Sequence, residues 1–305
     1  MQVEKDIVVA RDFIEGNVYE KTGYRPVKLF SDQSLKSFKK VKLKDKNAIC
    51  KINSSDEIFD IISYGGNVTA FSDNRFDEYF MKLKIAALDL KFKDYYSFLM
   101  NTYGKYSYTF NYDIYKSIRN NLDDKTRYFF DELYKSYIGK KIRKSKLIEP
   151  DRYSFEELST LVRSALSKGY GELVKNIKEK NVKFIYSKDE KIESKVKEPY
   201  DFIYLSYDIT NMSEKEIKKR EKLILESFRN MLSERGKIQC FYSDEEKETL
   251  FDKIEYKSNP SVNNDMAYVY TYKNKEIEKR VDKPCKIWYN IQAVGQQPGV
   301  MREWR

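Results

Sequence analysis

Apolar and polar positions along this chain switch between a strand period and a helical one. EIFDIIS (57–63) is a short apolar run rich in Ile that ends at Tyr64-Gly65-Gly66-Asn67. The pattern reads as a buried strand closed by a tight turn. VTAFSD (68–73) reads as a second strand ending on an acid. In the stretch that follows, Phe76, Phe80, Leu83, Ala87 and Leu90 share one helical face. Asn74 or Asp73 can cap that helix, and Asp77 and Glu78 suit its positive end. Residues 91–175 read as mostly helical, with periodic segments near 92–101, 113–120, 124–138, 154–167 and 170–180. Strand patterning returns in VKFIYS (182–187) and in YDFIYLSY (200–207), which runs into Asp208. Ser213 with Glu216 is a capping box opening a helix over 213–235, with Gly236 as its stop. KIQCFYS (237–243), AYVYTYK (267–273) and CKIWYNI (285–291) read as strands, the last two as an antiparallel pair.

Near-continuous apolar strands alternating with helices predict an α/β fold, a mostly parallel sheet covered on both faces. A closing antiparallel pair is the habit of the S-adenosylmethionine methyltransferase type of Rossmann-like sheet. The expected organisation is an N-terminal lead-in of mixed structure over 1–55 and a Rossmann-like domain over 56–300. That domain carries a helical insertion at about 91–175, and 292–305 reads as a C-terminal tail.

Composition narrows the chemistry. The 305 residues include no histidine, which excludes imidazole as a general base and the usual zinc and two-histidine iron sites. Cys50, Cys240 and Cys285 lie far apart, so neither a disulfide scaffold nor a thiolate metal site is expected, and no metal is assigned. Acid–base work falls to Asp, Glu, Tyr or Lys. With 41% hydrophobic and 15% aromatic residues the chain can bury a core. No apolar run approaches the roughly 18 residues of a membrane span, and the N-terminus is no signal peptide, so a cytoplasmic protein without a transmembrane segment is expected. The net charge of +10 is that of a Lys-rich surface or of a protein attracted to phosphates. Lys140, Lys141, Arg143 and Lys144 are either a solvated helix end or a contact for a phosphate-rich surface. The aromatic run from Tyr103 to Tyr112 reads as packing or as the lining of an acceptor pocket.

Ligands of open α/β sheets bind beyond the carboxyl ends of the strands, where the strand order reverses. Ser63, Gly65, Gly66 and Asn67 form the turn after the first expected strand, where glycines let backbone approach a ligand closely. Asp73, with Asn74 beside it, closes the second strand and can accept from ribose hydroxyls. Asp189 follows the third and can face an adenine amine; Ser206, Tyr207, Asp208 and Asn211 follow the fourth, where the reacting group lies. A Gly-Gly turn is as often only a turn, and an acid after a strand is as often an N-cap. The reading requires the loops after Ser63, Phe71 and Tyr207 to converge on one crevice.

The stretch SYGGNVTAFSDNRFDEYFMKLKIAALDLKFKDYYSFL (63–99) resembles a signature of the S-adenosylmethionine:diacylglycerol 3-amino-3-carboxypropyltransferases of betaine-lipid synthesis. The counterparts are Gly65-Gly66-Asn67, Asp73-Asn74, Leu83-Lys84-Ile85-Ala86-Ala87 and the aromatic segment Tyr95 to Phe98. YDFIYLSYDITNM (200–212) is a weaker echo of the fourth strand and its loop, and the two cover about 50 residues. The resemblance implies S-adenosyl-L-methionine as cofactor, and transfer of a 3-amino-3-carboxypropyl or methyl group to a small-molecule or lipid-headgroup acceptor. Asp208 or Tyr207 is then the expected base. One departure is plain: a parallel pair needs a crossover of a dozen or more residues, and almost nothing separates Gly66 from Val68. Either the first helix is deleted, or 58–72 holds strands that are not the usual pair. Two other readings stay open: a catalytically degenerate Rossmann-fold binding protein, and a nucleic-acid-directed methyltransferase. The absence of an Asp/Asn-Pro-Pro-Tyr motif weighs against DNA base methylation.

Overall fold

The computed structural model describes residues 2–17, 22–31, 38, 41–99, 109–149, 169–197, 199–206, 213–242, 252–254 and 266–271. The sheet is built from β1 (Asn47–Lys51), β2 (Asn67–Ser72), β3 (Lys183–Tyr186), β4 (Tyr200–Ser206), β5 (Leu232–Tyr242), β6 (Asp252–Ile254) and β7 (Met266–Thr271). Its order is β3-β2-β1-β4-β5-β7-β6. The first five strands are parallel, and β7 runs antiparallel to both β5 and β6. This is the Rossmann-like arrangement of the S-adenosylmethionine methyltransferase type, closed by an antiparallel pair. That pair is β6 with β7; the expected strand over 285–291 lies outside the described residues.

The expected strand over 57–63 is α2 (Asp56–Ser63), a helix. Ile58, Phe59, Ile61 and Ile62 follow i, i+1, i+3, i+4 spacing, and all four are buried. Asp56 and Glu57 fill its first turn, where the helix dipole favours acids. The first strand is instead β1, whose Ala48, Ile49 and Cys50 are at most 1% exposed. Both alternatives for the missing crossover therefore fall, since β1, α2 and β2 form an ordinary parallel unit. Gly65 and Gly66 belong to the helix end: their N–H groups donate to Ile62 and Ile61 carbonyls, at 2.9 and 3.0 Å, and Gly65 takes φ +85°.

β1 is central, pairing with β2 on one side and β4 on the other. Its alternation feeds two cores. Ala48 and Cys50 pack with Ile58, Ala70, Phe202 and Tyr204 on one face, and Ile49 packs with Phe71, Ile203 and Ile238 on the other. The segment 1–55 is thus no lead-in. It supplies the middle strand and also α1 (Gln2–Glu15), which packs on the insertion.

Between β2 and β3 come α3 (Arg75–Ala87), α4 (Phe92–Leu99), α5 (Tyr112–Ile118), α6 (Asp124–Ser136), α7 (Gly139–Lys144) and α8 (Tyr170–Glu179). Tyr79 of α3 stacks on Phe129 of α6 with ring centroids 4.1 Å apart. The helix expected over 154–167, the tyrosines at 103–108 and the tail over 292–305 fall outside the described residues. After β3 come α9 (Asp189–Ile192) and, beyond β4, α10 (Glu214–Phe228), which opens with the Ser213–Glu216 capping box. α10 stops at Phe228, short of Gly236, which lies inside β5. Pairing with β4 slips there, from Tyr200 opposite Leu232 to Phe202 opposite Lys237. A Cβ on Gly236 would stand 2.9 Å from the Tyr200 carbonyl, so the bulge requires glycine. Among the described residues, no helix is long and apolar enough to cross a membrane.

Candidate functional site

The strand order reverses between β1 and β4, and a cleft of about 650 Å³ opens at the carboxyl end of the sheet beside that point. Lys51 and Asn53 reach it from β1 and the loop after it, Asp73 from the end of β2, and Asp189 from beyond β3. The opposite wall is α10, with Arg220 and Leu223 toward the space.

The loop after β1 carries no glycine, and Ser55 takes a left-handed φ of 73°. A buried ammonium holds it there. Lys84 Nζ donates to the Ser54 carbonyl at 2.8 Å, to the Leu29 carbonyl at 2.6 Å and to Asp56 Oδ1 at 2.6 Å. The second Asp56 oxygen accepts from the Ser31 N–H at 2.8 Å. All three ammonium protons are used, as burial of a charge demands. The Glu57 carboxylate lies next to this knot and accepts from the Ser54 N–H at 3.3 Å. Burial, and then the neighbouring Asp56 charge, pushes its pKa up to about 7.

At the end of β2 the backbone is fixed by Asn74. Its Oδ1 accepts from the N–H groups of Phe76 and Arg25, at 3.3 and 3.1 Å. Its Nδ2 donates to the Arg25 carbonyl at 3.2 Å and to Asp77 Oδ1 at 2.8 Å. Asn74 is 2% exposed, so it caps α3 and clamps the N-terminal segment instead of meeting a ligand as expected. Asp77 also accepts from Ser72 Oγ at 2.6 Å, yet burial drives its pKa up to about 7. Asp73 does reach the cleft. Arg25 Nη2 donates to its Oδ1 at 2.7 Å, with side-chain exposures of 53% for Arg25 and 27% for Asp73. Burial works to raise the Asp73 pKa, but the guanidinium outweighs it and holds the carboxyl below the usual range.

Asp189 shares the cleft, but both its oxygens accept from Lys51 Nζ, each at 2.9 Å. An adenine amine at this carboxylate would compete with the ammonium. Ser206 closes β4 at the same sheet edge, whereas Tyr207, Asp208 and Asn211 lie outside the described residues. Ser63, Gly65, Gly66 and Asn67 are not at the cleft. Asn67 pairs with Asn47 at the amino end of the parallel strands, and a Cβ on Gly65 would stand 3.2 Å from Lys44 Cα. Ser63 Oγ turns back to donate to the Asp60 carbonyl at 2.8 Å. These four end a helix at the opposite edge, because α2 fills the place given to the first strand. So of the three expected loops, the one after Phe71 meets the crevice, the one after Ser63 does not, and the loop after Lys51 takes its place.

Arg25, Lys51 and Asn53 line the cleft and Lys84 anchors its loop, roles that the sequence does not assign to them. The acids Asp56 and Glu57 ahead of an apolar run are a helix-start signal that places the loop after β1 correctly. Arg25 has no such signal, since its partner lies 48 positions away. In the basic segment, Lys141 Nζ pairs with Glu15 at 2.9 Å, Arg143 is buried, and Lys140, Lys141 and Lys144 are exposed.

No family model and no curated protein matches this sequence. Among solved structures, the rRNA methyltransferase aviRa from Streptomyces viridochromogenes aligns at TM-score 0.42 and 8% identity, covering 83% of this chain and 88% of that one. A second structure of the same enzyme gives 0.40 and 7%, with 77% and 82% covered. An rRNA methylase from Streptococcus thermophilus gives 0.34 and 9%, with 76% and 91% covered. These likenesses concern the arrangement of strands and helices alone.

Proposed function

We propose that this cleft binds S-adenosylmethionine and that the chain is a transferase moving its 3-amino-3-carboxypropyl or methyl group to a small-molecule or lipid-headgroup acceptor. The observation that carries the reading is the position of Asp73. It is an ionised carboxylate at the end of β2, half-open to a cleft at the point where strand order reverses, where this sheet type takes nucleosides. The residues fit an adenosyl group in two further respects. Arg25 engages one Asp73 oxygen and leaves the other for a ribose hydroxyl, and Ile52, Leu223 and Ile224 give an adenine ring apolar surface.

The cofactor supplies a carbon activated by its sulfonium, which is a good leaving group already. What remains for the protein is to hold acceptor and carbon in line. Asp73 orients the ribose. The loop 52–55, pinned by Lys84, fixes one wall, and α10 excludes water from the other. Asp208 or Tyr207 takes the proton from the acceptor hydroxyl or amine, because no imidazole is present.

Calorimetry with S-adenosylmethionine and with 5′-methylthioadenosine tests the reading, which expects binding of both and fails if neither binds at millimolar ligand. Chromatography of a turnover mixture then identifies the group moved: methylthioadenosine marks aminocarboxypropyl transfer, S-adenosylhomocysteine marks methyl transfer.

A second reading, a Rossmann-like fold that binds without catalysis, is favoured by one contact. Lys51 holds both oxygens of Asp189, a carboxylate that otherwise is offered to the adenine amine. Ligand binding without either product supports that reading.

A further inference from the structure

We propose that Arg25 is a specificity-determining residue of the cleft, reading one hydroxyl of a ribose diol while Asp73 reads the other. The inference rests on the adenosyl-binding reading above and assigns a contact it does not contain.

The segment bearing Arg25 precedes every strand of the sheet, yet it is stapled along the carboxyl edge at nearly every second residue. The Gly23 carbonyl accepts from the Arg75 N–H at 2.9 Å. Tyr24 Oη donates to the buried Asp6 at 2.8 Å. Arg25 exchanges two backbone hydrogen bonds with the Asn74 side chain. Val27 bridges to the strand-like segment at Ile148, and the Leu29 carbonyl and Ser31 N–H close on Lys84 and Asp56. A backbone so fixed on both sides delivers the guanidinium to one place, Oδ1 of Asp73 in the cleft wall.

The consequence is chemical. A bare carboxylate at the end of β2 offers two acceptor oxygens, and a vicinal diol satisfies it by donating both hydroxyl protons. Here one oxygen already accepts from Arg25, so one of its two lone pairs is taken and the other oxygen is the freer acceptor for a hydroxyl. The same guanidinium has further N–H groups with no partner among the described residues, and it is half-exposed in the cleft. An acceptor oxygen beside a donor N–H matches a diol in which one hydroxyl donates to Asp73 and the other accepts from Arg25. The ligand class selected is an adenosyl group with an unmodified ribose.

The test is a binding cycle with 5′-methylthioadenosine and its 2′-deoxy and 3′-deoxy analogues, on wild type, Arg25→Gln and Asp73→Asn. Arg25→Gln is expected to weaken methylthioadenosine about tenfold, the scale of one hydrogen bond to a charged group. It is expected to leave unchanged the affinity for whichever deoxy analogue lacks the hydroxyl that Arg25 holds. Asp73→Asn is expected to show the same insensitivity for the other analogue. A merely structural role for Arg25 would weaken all three ligands by one common factor, and that result overturns the proposal, as does no weakening at all. Failure of wild type to bind methylthioadenosine is a different outcome and removes the adenosyl reading itself. Because Arg25 is half-exposed, unfolding midpoints for Arg25→Gln are expected to match wild type, which separates a binding defect from a folding one.

Discussion

Lys84 Nζ and Asp56 Oδ1 stand 2.6 Å apart with 1% of either side chain exposed. The pair joins α3 to the start of α2, and through the carbonyls of Leu29 and Ser54 it draws the N-terminal segment and the loop after β1 to one point. Two walls of the cleft therefore share a single buried anchor. Lys84→Met would leave Asp56 charged, buried and short of its counterion. The expected loss is about 3–5 kcal/mol, measured by urea denaturation; a loss below about 1 kcal/mol would show that the pair is not the anchor.

Glu57 and Asp77 make stability depend on pH in an unusual direction. Each is a carboxyl whose pKa rises from an ordinary value to about 7 on folding, so the folded chain holds the proton more tightly than the unfolded chain. Their effect on stability is least unfavourable below the unfolded pKa, near 4, and the penalty grows as pH rises to about 7, then levels off. Glu57→Gln is expected to match wild type near pH 4 and to exceed it at pH 8 by on the order of 3 kcal/mol. Urea midpoints at the two pH values check this, and an equal difference at both would contradict it.

Gly65 separates the two edges of the sheet experimentally. At φ +85°, with Lys44 Cα 3.2 Å from where a Cβ would sit, Gly65→Ala is expected to cost about 1 kcal/mol or more. Its affinity for methylthioadenosine should equal that of wild type, because the turn lies at the amino edge. Thermal melts paired with calorimetry give both numbers; a loss of affinity at unchanged stability would return the glycines to the site.

Asp73→Asn is expected to behave in the opposite way. The Asp73–Arg25 pair is partly exposed and is worth at most about 1 kcal/mol to the fold. Affinity for methylthioadenosine should nevertheless drop about tenfold, because a hydroxyl loses its charged acceptor. Equal affinity in the two proteins would remove Asp73 from the site.

Much of the fold was legible from local chemistry. The β2–α3 boundary followed from Asp73-Asn74 ahead of an amphipathic run, and the start of α10 from Ser213 and Glu216. β3 and β4 are marked by the apolar runs Phe184 to Tyr186 and Phe202 to Leu205. α2 looks like a strand in sequence because a seven-residue apolar run has no length to separate helix from strand, and the glycines after it suit either ending. β1 gives little apolar signal because only Ala48, Ile49 and Cys50 stand between Asn47 and Lys51, although all three are at most 1% exposed. The cleft is legible in the sequence only where a lining residue follows a strand within a few positions, as Asp73 follows β2 and Asp189 follows β3. Arg25 and Lys84 act on residues 48 and 28 to 55 positions away, and no local pattern encodes such a meeting.

The backbone of Asn47, at the start of the central strand, donates to Asp201, 154 positions later. While the chain is being made, β1 and β2 can join as soon as both have emerged, but the other edge of β1 must wait for β4. Through the synthesis of the whole helical insertion, the middle of the future sheet is an unprotected border of N–H and C=O groups. A nascent chain halted before Tyr200 would carry that raw border into solution, and such a truncated product is expected to self-associate, a cost that this strand order places on biogenesis.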